Sequence, residues 1–260
     1  MEEIFIDFEK DLLEVKNTID LFSSLETFAQ VSHSEFADNT EEFLKNSIEL
    51  SEKIKLNRRG NTRIPTILML YVAGRFENYA KTIMEETSTQ IAKKHTTFKA
   101  LPSKFQESLI NDTSKVVQNP RKYSHGEGAR DSFIKNLYHN IHDNKLDIIN
   151  YQCMSITERN MRADVITELF SKINYKNIWE DICSQANMRQ LFDGADVSKT
   201  AKECKGKLNT FMDMRNNVAH SSGAITWISN QSGIDYILFF IEFGRAIKSV
   251  CPIHIAQTSN

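Results

Sequence analysis

The sequence predicts an all-α fold, and three observations carry that expectation. Apolar residues recur at three- and four-residue spacing through segment after segment of the 260 residues. Glycine and proline are scarce, 9 and 4 in the whole chain. That is too few for the turns of an all-β sandwich or barrel, and it leaves no glycine-rich phosphate loop of the dinucleotide-binding type. Hydrophobic residues make up 40% and charged residues 25%, a balance that suits a globular protein able to bury a core and not a disordered one.

The elements follow in order. Ile4, Phe8, Leu12, Val15, Ile19 and Phe22 mark one face of a first helix. Residues 28–39 read as a loop. Asn39 or Thr40 can cap a second helix, with Glu41 and Glu42 at its positive end and Phe43, Ile48 and Ile54 along it. Arg58-Arg59-Gly60-Asn61 reads as a break, and Pro65 suits the first turn of the helix that follows. That helix is long and well patterned, through Leu68, Tyr71, Val72, Phe76, Tyr79 and Ile83. Shorter helices are expected over 103–118 and 131–143, joined by a connection containing Pro120, Gly126 and Gly128. Met161, Val165, Ile166, Leu169, Phe170 and Ile173 form another, and Ile178, Trp179 and Ile182 one that begins near Lys176. Residues 198–220 carry Leu208, Phe211, Met212 and Val218. The last helix, over 233–250, is nearly all apolar from Ile234 to Phe243, the pattern of a helix buried in a bundle or in an oligomer interface.

Several classes are excluded. No run of about 18 apolar residues exists to span a membrane. The acidic, amphipathic start MEEIFIDFEKDLLEVK lacks the basic and apolar regions of a secretory leader, so a cytoplasmic location is expected. Cys153, Cys183, Cys204 and Cys251 show no metal-site spacing and read as reduced, mostly buried thiols. The net charge of −2 hides a split: residues 1–52 hold 14 acidic and 3 basic residues, and the remainder 20 acidic and 29 basic. One basic cluster is Lys53, Lys55, Arg58, Arg59 and Arg63. Another spans 93–135, with 9 Lys/Arg against 4 Asp/Glu. Charge alone says no more than solvated helix surfaces.

Most candidate chemistry dissolves on inspection. His139 and His142 would share a helix face with Asp143 beside them, but no further ligand motif accompanies them, so exposed histidines are expected rather than a metal site. Gly126-Glu127-Gly128 lacks the strand and lysine of a phosphate loop. One segment differs: FMDMRNNVAHSSG, residues 211–223. Arg215 and His220 are separated by four residues at the end of an apolar-periodic helix. Asn216 follows the arginine directly, Ala219 precedes the histidine, and no other histidine has an arginine five positions before it.

RNNVAH resembles the R-x4-6-H motif of HEPN domains. LMLYVAGRFENYAKTIMEE, and Asn160-Met161-Arg162 with VITELFSKIN, resemble early and middle helices of the RiboL-PSP subgroup. The resemblance covers roughly residues 60–250 and implies a HEPN-like helical bundle, a two-fold dimer and, as in many members, RNA cleavage without a metal or other cofactor. It divides the chain into an acidic helical extension packed on the bundle (1–58), a HEPN-like domain (59–251) and a C-terminal tail (252–260). The residue types suit the chemistry. Attack by the ribose 2′-OH needs a proton acceptor, a proton donor and a cation at the phosphate. An imidazole such as His220 can give and take protons near neutrality, Arg215 can fork onto two phosphate oxygens, and Asn216 can bond the phosphate or orient the ribose. Under that reading Arg58, Arg59, Arg63, Arg121 and Lys122 are the expected RNA contacts. Five residues of helix turn Arg215 and His220 about 140° apart. The helix must therefore unwind near Ser221-Ser222-Gly223, or two chains must share one composite site. Such proteins commonly act as toxins or in anti-phage defence, restrained by an antitoxin or ATPase. A non-catalytic HEPN interaction module, and a helical adaptor whose acidic N-terminus docks a basic partner, are the alternatives.

Overall fold

The computed structural model describes residues 1–30, 42–194, 196–220 and 225–258, and among them it contains helices and no strand. Twelve α-helices follow in order: α1 (Glu2–Gln30), α2 (Glu42–Leu56), α3 (Arg58–Asn61), α4 (Ile64–Lys94), α5 (Ser103–Gln118), α6 (Ala129–Ile141), α7 (Tyr151–Met154), α8 (Ala163–Ser171), α9 (Ile178–Ser184), α10 (Ala186–Leu191), α11 (Val197–His220) and α12 (Asn230–Gln257). Short 3-10 turns lie at Phe98–Ala100 and Pro120–Tyr123. The all-α expectation holds.

The chain divides into two compact units. One comprises residues 1–7, 76–212 and 242–260, the other residues 8–75 and 213–241. In the first, the apolar stripe of α4 continues through Phe76, Tyr79, Ile83, Met84 and Ile91, all fully buried. Phe243 of α12 sits 5.6 Å from both the Phe76 and the Trp179 rings, stacked on the latter. Tyr79 is buried because its hydroxyl has a partner: it donates to the Gly244 carbonyl at 2.7 Å. Burial and Glu85 do the same for Ser155, whose hydroxyl donates to that carboxylate at 2.6 Å. All four cysteines are buried free thiols.

In the second unit, Phe8, Leu12, Val15 and Ile19 of α1 face inward, as their spacing requires. Ser51 of α2 donates to the Ala29 carbonyl at 3.4 Å, and Arg75 pairs with Asp11. Gly233 lets α12 approach closely: a Cβ there would stand 3.1 Å from Ile19 and 3.3 Å from Pro65.

Several boundaries differ from expectation. The first helix runs on to Gln30, through the start of the expected loop; the rest of that loop, and the proposed caps Asn39 and Thr40, lie outside the described residues. The Arg58–Asn61 break is instead one helical turn, in which the Asn61 amide donates to the Ile54 carbonyl at 3.3 Å and accepts from Asn57. Met161 precedes α8 and is buried without being helical. Helices α7 and α10, of four and six residues, are too short to carry a periodic signal. Asn140, near the end of α6, is buried, and its amide donates to the Lys145 and Ile148 carbonyls at 2.9 and 2.8 Å. The final helix passes through Pro252 to Gln257. Proline removes one backbone donor there, but the buried His254 and Ile255 hold the last turn against the core.

Candidate active site

Helix α11 presents the motif. Phe211 and Met212 are buried and anchor the helix one turn before Arg215. Arg215 and Asn216 are half-buried and His220 is exposed. The Arg215 guanidinium donates through Nη1 to Asn216 Oδ1 at 3.2 Å, so the asparagine steadies the cation beside it. The helix is unbroken from Val197 to His220. Between Arg215 and His220 it neither unwinds nor kinks, and the two side chains leave it about 140° apart, displaced by about 7.5 Å along its axis. Unwinding at Ser221-Ser222-Gly223 falls outside the described residues. His220 occupies the last turn of the helix.

The five expected RNA contacts separate into two groups. Arg58, Arg59 and Arg63 are exposed and belong to the same compact unit as Arg215, Asn216 and His220. Arg121 and Lys122 belong to the other, where Arg121 pairs with Glu127 and Lys122 with Glu158, each at 3.1 Å. Hydrogen bonding to Glu158 holds the Lys122 ammonium above its usual range.

Sequence reasoning missed Trp227. It is 38% exposed, and the Arg63 guanidinium lies 5.0 Å over its ring. The available signal was a tryptophan in the uncharged stretch after the motif, where no helical periodicity demands a core residue. An exposed indole with a cation on one face is a surface on which a base can stack.

His139 and His142 do not form a metal cluster. Both bond the Asp143 carboxylate, His142 through Nδ1 at 2.8 Å, and these bonds hold Asp143 below the usual carboxylate range. No group of three or more His, Cys, Asp or Glu side chains suited to a metal ion occurs among the described residues. No helix among them is long and apolar enough to cross a membrane.

The apolar run Ile234 to Phe243 is used within the chain. Ile237, Phe239, Phe240, Ile241 and Phe243 are buried, and of its larger apolar side chains only Leu238 is strongly exposed, at 41%. It therefore does not by itself supply a dimer surface. Ile67 and Tyr71, one turn apart on α4, are 52% and 49% exposed in the unit that carries the motif.

No curated protein and no solved structure matches the chain. The family description RiboL-PSP-HEPN matches residues 34–251, which take in α2 through most of α12 and the whole RNNVAH segment; the chain belongs to the RiboL-PSP-HEPN family.

Proposed function

We propose that this protein is a metal-independent endoribonuclease acting as a homodimer, the toxic effector of a toxin–antitoxin or anti-phage system. Membership of a family rich in ribonucleases supports nuclease-type chemistry. The observation that carries the reading is the end of α11: a half-buried arginine steadied by an asparagine, then an exposed histidine in the final turn of the same unbroken helix. On one chain the two point apart, so the catalytic cleft is formed where two copies bring their α11 ends together.

In that cleft an imidazole takes the proton of the ribose 2′-OH. The 2′ oxygen attacks phosphorus, and Arg215 neutralises the phosphoryl oxygens as charge gathers on them. The bond from phosphorus to the 5′ oxygen breaks, the leaving oxygen takes a proton from water, and the imidazolium returns its own proton to solvent. Each site therefore needs one histidine from one copy and one arginine from the other. The products are a 2′,3′-cyclic phosphate and a 5′-hydroxyl. An antitoxin or ATPase partner restrains the activity in the cell.

The deciding experiment is cleavage of end-labelled RNA in excess EDTA by the wild-type chain and by His220→Ala. Metal-free cleavage lost in the variant supports the reading. Cleavage that survives the substitution, or that stops on chelation, overturns it. Absence of cleavage in the wild type with RNA binding retained would identify a non-catalytic interaction module instead.

A further inference from the structure

Two of the four cysteines meet inside the unit that holds residues 76–212. Cys183 lies on α9 and Cys204 on α11, and both are fully buried free thiols. The Cys204 S–H donates to the Cys183 sulfur. The same two helix faces touch one turn away. Trp179 precedes Cys183 by one turn of α9, Lys205 follows Cys204 directly, and the Lys205 ammonium lies 5.2 Å over the Trp179 ring. The other two cysteines have no sulfur for a neighbour. Cys153 bonds Thr113 and Cys251 bonds Thr87, and burial pushes each thiol up to about 12.

The pair divides its roles. The hydrogen bond from Cys204, helped by the Lys205 charge, holds the Cys183 thiol below its usual range against the opposing effect of burial. Burial, together with the same bond, holds Cys204 well above that range. Cys183 is therefore the sulfur that reaches the thiolate, the nucleophilic form, and Cys204 the one that keeps its proton. Both sulfurs are covered, so a reagent reaches them through local opening. Helix α9 has seven residues, Asn177 at its start makes no side-chain capping bond, and the exposed Ser184 follows Cys183 directly. A helix this short, without a cap, opens at far smaller cost than the whole fold, and hydrogen peroxide is scarcely larger than water.

We propose that Cys183 and Cys204 are a reversible redox pair, oxidised by a small hydroperoxide to a disulfide that ties α9 to the helix bearing RNNVAH. In the first step the Cys183 thiolate attacks one peroxide oxygen. An S–O bond forms, the O–O bond breaks, and the departing hydroxide takes a proton to become water. In the second step the Cys204 sulfur attacks the Cys183 sulfenic acid. The S–S bond forms, the S–O bond breaks, and the leaving oxygen takes the Cys204 proton as a second water. The two thiols give up two electrons and the peroxide accepts them. A reducing dithiol restores the pair by exchange. Sulfurs already in hydrogen-bond contact close to the disulfide length by a shift on the order of 2 Å. The inference does not depend on whether the protein cleaves RNA.

The test treats the full chain, reduced and folded, with excess hydrogen peroxide and quenches with catalase. The protein is then unfolded in an alkylating reagent, digested and mapped by mass. Two of the four thiols should be lost, with the peptides of Cys183 and Cys204 joined within one chain, while Cys153 and Cys251 are alkylated. Dithiothreitol given before alkylation should restore both lost thiols. In Cys204→Ala the oxidation should stop at a Cys183 sulfenic acid, trapped by dimedone added at unfolding. In Cys183→Ala neither a disulfide nor a sulfenic acid at Cys204 should form. Circular dichroism checks that the variants fold, and the wild-type map decides the pairing even where one does not. Four alkylated thiols after treatment overturn the proposal, as does a disulfide that involves Cys153 or Cys251 or joins two chains. Sulfenic acid at Cys204 in Cys183→Ala overturns the division of roles. Cleavage of RNA is scored separately, so either conclusion can fail alone.

Discussion

His220 stands exposed at the end of a 24-residue helix, so replacing it removes an imidazole and almost no packing. His220→Ala is expected to abolish RNA cleavage and to leave the thermal midpoint within a degree or two, because exposed substitutions rarely move stability by more than about 0.5 kcal/mol. Arg215→Ala should lose cleavage as well, and a single-turnover assay beside a melting curve checks both. Asn140 is the opposite case. It touches no candidate chemistry, yet its buried amide satisfies two carbonyls of the loop after α6. Asn140→Ala should cost about 1–3 kcal/mol, read as a lowered urea midpoint, with cleavage by the remaining folded protein unchanged. A midpoint within error of the wild type would show that the loop finds other donors. The two residues also mark what a sequence can reveal about individual side chains. The motif around His220 was legible because its identity lies in adjacent letters, RNNVAH. Asn140 was not, because its role depends on the backbone of residues 145 and 148 folding back onto it, and no local pattern records that.

Among the elements, the long helices were legible for a simple reason: each buries a stripe, and the stripe repeats often enough to be read. Residues 103–118 appear as α5 with those bounds, and α11 differs by one residue at its start. The ends were less legible. Proline at 252 argues for a stop, and the helix ignores it because burial of His254 and Ile255 outweighs one lost backbone bond. That last turn has a consequence for acid stability. His254 donates from Nε2 to the Ile173 carbonyl at 3.1 Å and stacks on Tyr175 at 4.1 Å. Burial pushes its imidazole below the ordinary value, with the Ile173 bond and Asp181 opposing in part. The unfolded chain therefore binds a proton at a pH where the folded chain still resists it. In that window falling pH favours unfolding. The stability that neutral His254 permits is fully present above about pH 6.5 and is lost as pH drops through the lower folded value. Thermal midpoints measured from pH 7.5 to 5.5 should fall more steeply for the wild type than for His254→Gln, which keeps an amide donor and cannot titrate. Parallel slopes would place the acid sensitivity elsewhere.

Under the proposed function the whole molecule raises two questions that no single helix answers: where an RNA substrate would lie, and how many chains would make a site. The basic residues Arg58, Arg59 and Arg63 belong to the compact unit of the motif, whereas Arg121 and Lys122 belong to the other and are paired with acids. If Arg58 and Arg59 contact phosphates, Arg58→Glu with Arg59→Glu should weaken RNA binding and flatten the dependence of log K on log salt by about 1.4, at about 0.7 per lost single-strand contact. An unchanged slope would return both arginines to the solvated surface. This grouping could not be read from the sequence, because charge asymmetry along a chain does not report asymmetry in space. The second question follows from geometry. A continuous helix sends Arg215 and His220 about 140° apart, so a shared cleft needs a second copy. The apolar run of α12 is spent within the chain, and Ile67 and Tyr71 on α4 are, with Leu21, Phe43 and Leu56, among the exposed apolar side chains of the unit that carries the motif. Sedimentation at micromolar concentration should give twice the chain mass, and Ile67→Asp with Tyr71→Asp should halve it and stop cleavage together. Mixing separates composite sites from sites complete within one chain. Equal amounts of Arg215→Ala and His220→Ala, inactive alone, reassort into dimers of which about half are mixed, and each mixed dimer carries one intact pairing of arginine with histidine across the two-fold axis. About a quarter of wild-type cleavage should return. If the mixture remains as inactive as its components while subunit exchange is demonstrated, the arginine and histidine of each site come from the same chain, and the end of α11 must rearrange to bring them together.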